Sequence, residues 1–333
     1  MTDPTLSADD RFPTVSVIVP LLNEANAIER CIRSFDSQDY PATCLDLIVV
    51  DGGSSDGSRD VVRDLSIDRS WLRLVDNPDR RASSAFNRGI EASSGDVICL
   101  VGAHSIVRPD YVRRSVDALR RSDIGGVGGR LLHSGSNPRS RAIGMAMMSR
   151  FGMASPFRFT NERRMVDTIG HPAYWRSAVE DTGAFDETLE RNSDYEFNFR
   201  MRRQGHDLLF DPEIVTSYHP RSSLPSLATQ FFHYGAGKAA VLRQHPGSVK
   251  ARHLVPPAMV LFLAASPALA RFRWGRRLVS TGALAYATGM TLAAATEQPW
   301  REGASLPVFL AAFPVMHVSW GIGLLSAVSR NRP

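Results

Sequence analysis

The sequence predicts an α/β domain on a mostly parallel, doubly wound sheet, followed by a C-terminal helical membrane region. Three observations predict it. Apolar, β-branched runs at 15–19, 47–50, 72–75 and 97–101 alternate with segments of helical periodicity, the pattern of β-α-β units. The last three of these runs break off into polar or glycine-containing turn residues, and in open α/β sheets such turns at the carboxyl ends of strands hold ligands. Long apolar runs occur only after residue 253.

Taken in order, Met1 to Phe12 is polar and acidic and reads as a flexible terminus with no apolar leader. Val15-Ser-Val-Ile-Val19 is a strand closed by Pro20. Asn23 is placed to cap the helix that follows, whose inward face carries Ile28, Cys31, Ile32 and Phe35. Leu47–Val50 is a buried strand that stops on Asp51, then Gly52-Gly53-Ser54-Ser55-Asp56-Gly57. The glycines allow a tight turn, and Asp56 can cap a helix carrying Val61, Val62 and Leu65 inward. A strand at 72–75 and a helix at 82–90 follow, then Gly95-Asp96 and the apolar run ending at Val101. Farther on, Asn192 or Ser193 starts a helix with Phe197 and Met201 on its apolar face and a stop at Gly205.

Net charge is +5 over 333 residues, and nearly all cations are arginine, with lysine only at 238 and 250. A basic balance suits phosphorylated ligands or anionic lipid. Without a dense Arg/Lys run interleaved with aromatics, a nucleic-acid partner is not expected. Cys31, Cys44 and Cys99 are isolated in apolar surroundings and read as reduced core residues, not metal ligands or disulfides. Gly235-Ala-Gly-Lys238 lacks the upstream glycine and following hydroxyl of a P-loop.

Ser16-Val-Ile-Val-Pro20 with Asn23-Glu24, Val49-Val-Asp-Gly-Gly-Ser-Ser-Asp-Gly57, Asn87-Arg-Gly89 and Gly95-Asp96 together resemble the family 2 glycosyltransferases over roughly residues 13 to 245. His104-Ser-Ile-Val-Arg-Pro-Asp-Tyr111, Asn192-Ser-Asp-Tyr-Glu-Phe-Asn-Phe-Arg200 and Tyr218-His-Pro-Arg221 resemble the membrane-attached enzymes of succinoglycan-type exopolysaccharide synthesis. The resemblance implies a GT-A fold, a Rossmann-like α/β sheet flanked by helices, in a catalytic domain over 13–222. It implies an inverting transfer of sugar from a nucleotide-sugar donor, UDP-linked, to a lipid-linked or polysaccharide acceptor. The alternative is a non-catalytic GT-A relative acting as a membrane-bound binding or scaffold protein.

By the same resemblance Pro20, Asn23 and Glu24 line the nucleotide pocket and Asp51 contacts base or ribose, where a carboxylate accepts from N–H or hydroxyl groups. Asn87 belongs to that set. Arg80 and Arg81 neutralise the diphosphate, for which a guanidinium fork is suited. The family's Asp-x-Asp motif, which holds Mn2+ or Mg2+ against the diphosphate, here reads Gly102-Ala103-His104. Imidazole ligates Mn2+, whereas Mg2+ prefers oxygen. Three readings stay open: His104 binds metal with diphosphate oxygens and water, Arg or His cations replace the metal, or the enzyme is impaired. His219 is a second imidazole candidate.

Asp194 is the expected catalytic base, in the first turn of its helix, where the acceptor hydroxyl would lose its proton as it attacks the anomeric carbon. Ser193 stands where the family has a glutamate. Tyr195, Arg221, Gln230 and His233 are acceptor-side candidates. Gln230-x-x-His-Tyr234 resembles the Gln-x-x-Arg-Trp of processive synthases, though 223–253 also reads as an amphipathic segment at a membrane interface.

Three apolar stretches close the chain. Those at 278–296 and 304–328 approach or exceed the ~20 residues needed to cross a ~30 Å hydrocarbon core. The stretch at 254–270 is broken by Pro256, Pro257 and Pro267 and is expected to be interfacial or re-entrant. Arg271, Arg273, Arg276 and Arg277 then stay on the cytoplasmic side, with Arg330 and Arg332, and 297–303 faces outward. The expected location is the inner membrane, with membrane lipid as a partner and the catalytic domain in the cytoplasm.

Overall fold

The computed structural model describes residues 12–133, 135–152 and 160–330. The terminus expected to be flexible, 1–12, lies outside the described residues except for Phe12. The chain divides into two compact units, one of 12–132 with Thr160–Tyr218, the other of 133–152 with 219–330.

In the first unit the order begins β1 (Val15–Leu21), α1 (Ala25–Arg33), β2 (Leu45–Asp51), α2 (Ser58–Ser66), β3 (Leu72–Asp76), α3 (Ala82–Glu91) and β4 (Val97–Leu100). It continues with β5 (Ser105–Val107), α4 (Tyr111–Arg121) and β6 (Gly126–His133); α5 (Pro138–Met148) belongs to the second unit. After it come β7 (Arg164–Met165), β8 (Ala173–Trp175), α6 (Arg176–Thr182), α7 (Ser193–Arg203) and β9 (Leu208–Tyr218). One sheet runs β3-β2-β1-β4-β8-β6-β9-β5, with β7 beside β9. The four strands expected from the first hundred residues are mutually parallel, while β8 runs antiparallel to β4 and β6, and β9 antiparallel to β5 and β7, so the sheet is mixed.

Alternation of side chains along the parallel strands feeds two cores. Val17, Val19, Leu47, Val49, Val97 and Cys99 join Ile28, Ile32, Val62, Tyr111 and Val116 from α1, α2 and α4. Ile18, Ile48, Val50, Ile98 and Leu100 join Ala85, Val179, Phe197 and Met201 from α3, α6 and α7. Both faces of the sheet are therefore covered, which is why the strands read as continuous apolar runs. Each buried Ile or Leu contributes about 1.5–3 kcal/mol from area removed from water. At Gly89 an added Cβ would lie 2.3 Å from Ile18 Cγ2, so α3 sits directly on β1. The three cysteines are free and buried, and burial pushes the Cys31 and Cys99 thiols up to about 12.

The second unit is helical: α5, α8 (Leu224–Gln244), α9 (Ala251–Leu269), α10 (Arg273–Glu297) and α11 (Leu306–Arg330). Ile143, Leu227, Phe231, Phe309, Phe313 and Met316 form its core. At Gly235 a Cβ would meet Trp320 O at 2.0 Å, and at Gly323 one would meet Phe232 O at 2.1 Å, so the backbones of α8 and α11 touch. By length and composition α9, α10 and α11 are each able to cross a membrane. Leu254, Val255, Leu261, Leu284 and Leu292 are exposed along α9 and α10.

Candidate active site

The turns leaving β1 to β4 gather at the carboxyl edge of the parallel strands. Their contacts are specific. Gly52 N donates to Leu21 O at 2.8 Å, and Asn77 N donates to Asp51 O at 2.8 Å. Asp51 itself is 1% exposed. Its carboxylate accepts from Gly53 N (3.2 Å), Ser54 N (3.1 Å), Ser54 Oγ (2.6 Å) and Arg59 Nη1 (3.0 Å). Burial pushes this carboxyl up, but the bonds from Ser54, Arg59 and Gly53 outweigh it and hold the group below the usual carboxylate range. Asp51 thus braces its own turn.

The turn after β1 is tied to the same loop. Asn23 adopts φ +55°, its N–H donates to Ser54 Oγ at 2.9 Å and its Oδ1 accepts from Ser55 N at 2.8 Å. Asn23 therefore does not cap α1: Glu24 occupies the N-cap position, and Asp56 from the neighbouring turn accepts from Ala25 N at 2.9 Å. Asp56 also receives Ser58 N at the start of α2, so one carboxylate serves two helix starts. Pro20 lies in β1 opposite Val50.

Among the expected cations, Arg80 is exposed, adopts φ +58° and has its Cα 3.3 Å from where a Gly52 Cβ would be. Arg81 is tied down, donating to Glu187 O at 2.8 Å. Asn87 spends its amide on a loop: Nδ2 donates to Phe185 O (3.0 Å) and Glu187 Oε1 (2.7 Å), and Oδ1 accepts from Phe185 N (2.8 Å). It positions residues 185–187.

His104 follows β4. Its Nδ1 lies 3.3 Å from Glu24 Oε1, and its ring meets Tyr218 edge-on with centroids 4.8 Å apart. A carboxylate oxygen only accepts, so Nδ1 is the donor in this contact, and in the neutral ring Nε2 then carries the lone pair. That Nε2 borders the space over Gly102, 3.7 Å from where a Cβ would stand. Among the described residues no three His, Cys, Asp or Glu side chains cluster as a metal site. The donor set fits a divalent ion that takes most of its ligands from a diphosphate: one imidazole, oriented by a carboxylate in the manner of metal-bound histidines, beside a cradle that a side chain would fill.

Asp194 is exposed in the first turn of α7. Asn192 holds the N-cap position at φ +63° without a side-chain cap, and Tyr195 N donates to Asp194 Oδ1 at 2.8 Å. Glu196, also in that turn, is 2% exposed and clamped by Arg200 at 2.6 and 3.0 Å. Burial raises the Tyr174 hydroxyl well above its ordinary value, and the Asp194 charge adds to it. Tyr195 is half-buried beside Asp194. His219, Arg221, Gln230 and His233 belong to the second unit. There Gln230 Nε2 donates to Tyr234 Oη at 2.8 Å, one turn along α8, and Arg221 and His233 are exposed.

Sequence reasoning missed Arg59, Asp56's second role and His171. A cleft lined by Pro13, Thr14, Asp96, Arg120 and Arg176 opens at the amino ends of β1 and β4 instead, the edge where parallel sheets do not bind ligands.

The glycosyl transferase family 2 model matches residues 16–183. A dolichyl N-acetyl-alpha-D-glucosaminyl phosphate 3-beta-D-2,3-diacetamido-2,3-dideoxy-beta-D-glucuronosyltransferase of Methanococcus voltae is 27% identical over 69% of this chain and 74% of its own. The succinoglycan biosynthesis protein ExoA of Rhizobium meliloti is 29% identical over 96% of both chains. The structure of the mannosyltransferase PcManGT from Pyrobaculum calidifontis, in complex with GDP-Man and Mn2+, superposes with a TM-score of 0.68 at 18% identity, covering 96% of this chain and 88% of that one. Motifs, fold and site edge agree with that match: the chain belongs to glycosyl transferase family 2, and is a glycosyltransferase with a GT-A fold and a C-terminal apolar helical region.

Proposed function

We propose that the protein performs an inverting transfer of a sugar from a UDP-linked donor to a lipid-linked or polysaccharide acceptor in cell-envelope or exopolysaccharide synthesis. The names of the relatives support the acceptor class, one acting on a dolichyl-linked sugar phosphate and one in succinoglycan biosynthesis. The observation that carries the mechanism is the division of labour in the first turn of α7. Glu196 is buried against Arg200, while Asp194 is exposed.

Asp194 then takes the proton of the acceptor hydroxyl as that oxygen bonds to the anomeric carbon, and the C–O bond to the nucleoside diphosphate breaks on the opposite face. Arg80, beside the Gly52 turn, meets the leaving diphosphate, with Arg81 next to it. A divalent ion at His104, when bound, supplies further positive charge to the leaving group. Asp51 and Asn23 hold the loop against which base and ribose lie, with Pro20 and Glu24 lining it and Asn87 fixing the loop at 185–187. Tyr195 in the first unit and Arg221, Gln230 and His233 in the second are the acceptor-side candidates, and His219 remains a second imidazole candidate.

The layout is a catalytic domain to about residue 222, an interfacial segment over 223–253, an interfacial or re-entrant stretch at 254–270 and a two-helix hairpin. Arg271, between α9 and α10, and Arg273, Arg276 and Arg277, in the first turns of α10, hold that end of the helices at the cytoplasmic face of the inner membrane. Cysteine introduced at Glu302 should label from the outer face of sealed vesicles; labelling from the inner face alone would reverse the topology.

The test of mechanism is Asp194→Asn. Turnover should fall ~10^2–10^4-fold, the range for a positioned base, with nucleotide affinity unchanged. Full turnover in that variant would remove Asp194 from the reaction.

A further inference from the structure

We propose that His171 stands in for the side chain that Gly102 lacks, so that His104 and His171 form a two-imidazole seat for Mn2+ at the donor diphosphate. The proposal rests on the glycosyltransferase reading and deepens its metal site.

Backbone register brings the residue there. β8 pairs antiparallel with β4 through Cys99↔Ala173, and Leu100 N donates to Pro172 O at 2.9 Å. Continued toward the end of β4, that register sets His171 alongside Val101, next to Gly102. The side chain closes the remaining gap. A Cβ on Gly102 would lie 3.7 Å from His171 Nε2, 3.7 Å from His104 Nε2 and 3.3 Å from Ser105 Oγ. The small space that the glycine leaves is thus bordered by two imidazole nitrogens and a hydroxyl.

Both rings are held by their other nitrogen. His104 Nδ1 faces Glu24 Oε1 at 3.3 Å, and His171 Nδ1 lies 2.8 Å from Thr216 Oγ1. In the neutral tautomer that donates Nδ1–H to those oxygens, each Nε2 carries a lone pair beside the cradle, which suits a cation rather than an anion. Ser105 Oγ, 3.2 Å from His171 Nε2, occupies that lone pair and gives it up on ligation. His171 also has φ +45°, a backbone state that L-residues adopt at a cost and that persists where neighbouring structure imposes it. Two nitrogen donors replace the hard oxygen pair of an Asp-x-Asp motif, so the seat should prefer Mn2+ to Mg2+.

The experiment uses the full chain in detergent and follows free Mn2+ by electron paramagnetic resonance, with UDP or GDP present, in five proteins. The wild type should bind Mn2+ together with nucleotide. His171→Phe and His104→Ala should each weaken Mn2+ by tenfold or more. Gly102→Ala keeps both histidines, yet its methyl fills the cradle and should weaken Mn2+ similarly, which covers the case of a misfolded His171→Phe. The pair Gly102→Asp with His171→Phe should regain binding and shift preference toward Mg2+, a change that a merely structural His171 would not produce. Mn2+ binding unaltered by both His171→Phe and Gly102→Ala would overturn the proposal. A wild type that binds nucleotide but no Mn2+ would overturn it and leave the transferase reading standing. Binding of neither UDP nor GDP would overturn both.

Discussion

The turn after β2 and the turn after β4 leave neighbouring regions of one sheet edge, and they use polar chemistry in opposite ways. From Asp51 to Ser58 the chain carries two aspartates, three glycines and three serines. In the fold those groups bond mostly to one another and to Asn23, with Asp51 sealed at 1% exposure. The turn after β4 reads Gly102-Ala103-His104, poorer in polar groups, yet the space over Gly102 is bordered by two imidazoles and a hydroxyl from two stretches of chain, His104-Ser105 and His171. A motif rich in hydrogen-bonding residues can be self-sufficient, while a sparse one leaves room for a ligand.

The comparison can be broken most sharply at Asp51. Asp51→Asn removes a charge that accepts from two backbone N–H groups, a serine and an arginine, and should cost about 2–3 kcal/mol of stability. Because the folded carboxyl lies below the usual range, its contribution is present above an unfolded value of about 3.9 and is lost as pH falls through the folded value. Urea midpoints at pH 7, 4 and 3 should therefore drop more steeply for the wild type than for Asp51→Asn. Equal slopes would mean that Asp51 does not brace the loop.

At the other turn the expected effect falls on binding. Glu24→Gln keeps the shape of the residue behind His104 but weakens its hold on Nδ1, and Mn2+ affinity in the presence of nucleotide should fall ~10–100-fold with little change in thermal stability. A large loss of stability with metal binding intact would make Glu24 another member of the self-contained loop. The smallest effect separates the two arginines. Arg80 has no ion-pair partner among the described residues, whereas Arg81 is bound to Glu187 O. Arg80→Ala should weaken UDP about fivefold, less at high salt, since an exposed charge contributes about 1 kcal/mol or less. Arg81→Ala should register in stability as well.

The parallel half of the sheet was legible because β1 to β4 are bounded by turn residues, and apolar runs of this length point to strands buried on both faces. The antiparallel half was not. β5 and β8 have three residues each and β7 two, too short to show a period. β6 begins Gly126-Val-Gly-Gly, which argues against a strand by propensity. The glycines are there for packing: a Cβ on Gly129 would come 1.9 Å from Ile214 O. At the site, Asp194's position and the His104 turn were readable from motifs and helix-start signals. The commitments of Asn87 to Phe185 and of Asp56 to Ala25 depend on residues 98 and 31 positions away, which no local pattern carries. His171 had no signal of its own. It becomes visible only once β8 is paired with β4.

One carboxylate joining the starts of α1 and α2 has a consequence for how a donor would be met. Loops rich in Gly and Ser usually wander in the free protein, and a ligand must gather them. Here Asp56, Asn23 and Ser54 latch the two turns together beforehand. Association with a nucleotide should then approach a docking event, with the entropy of loop ordering already lost during folding, and backbone amides 53–55 should exchange with solvent slowly even in the empty enzyme.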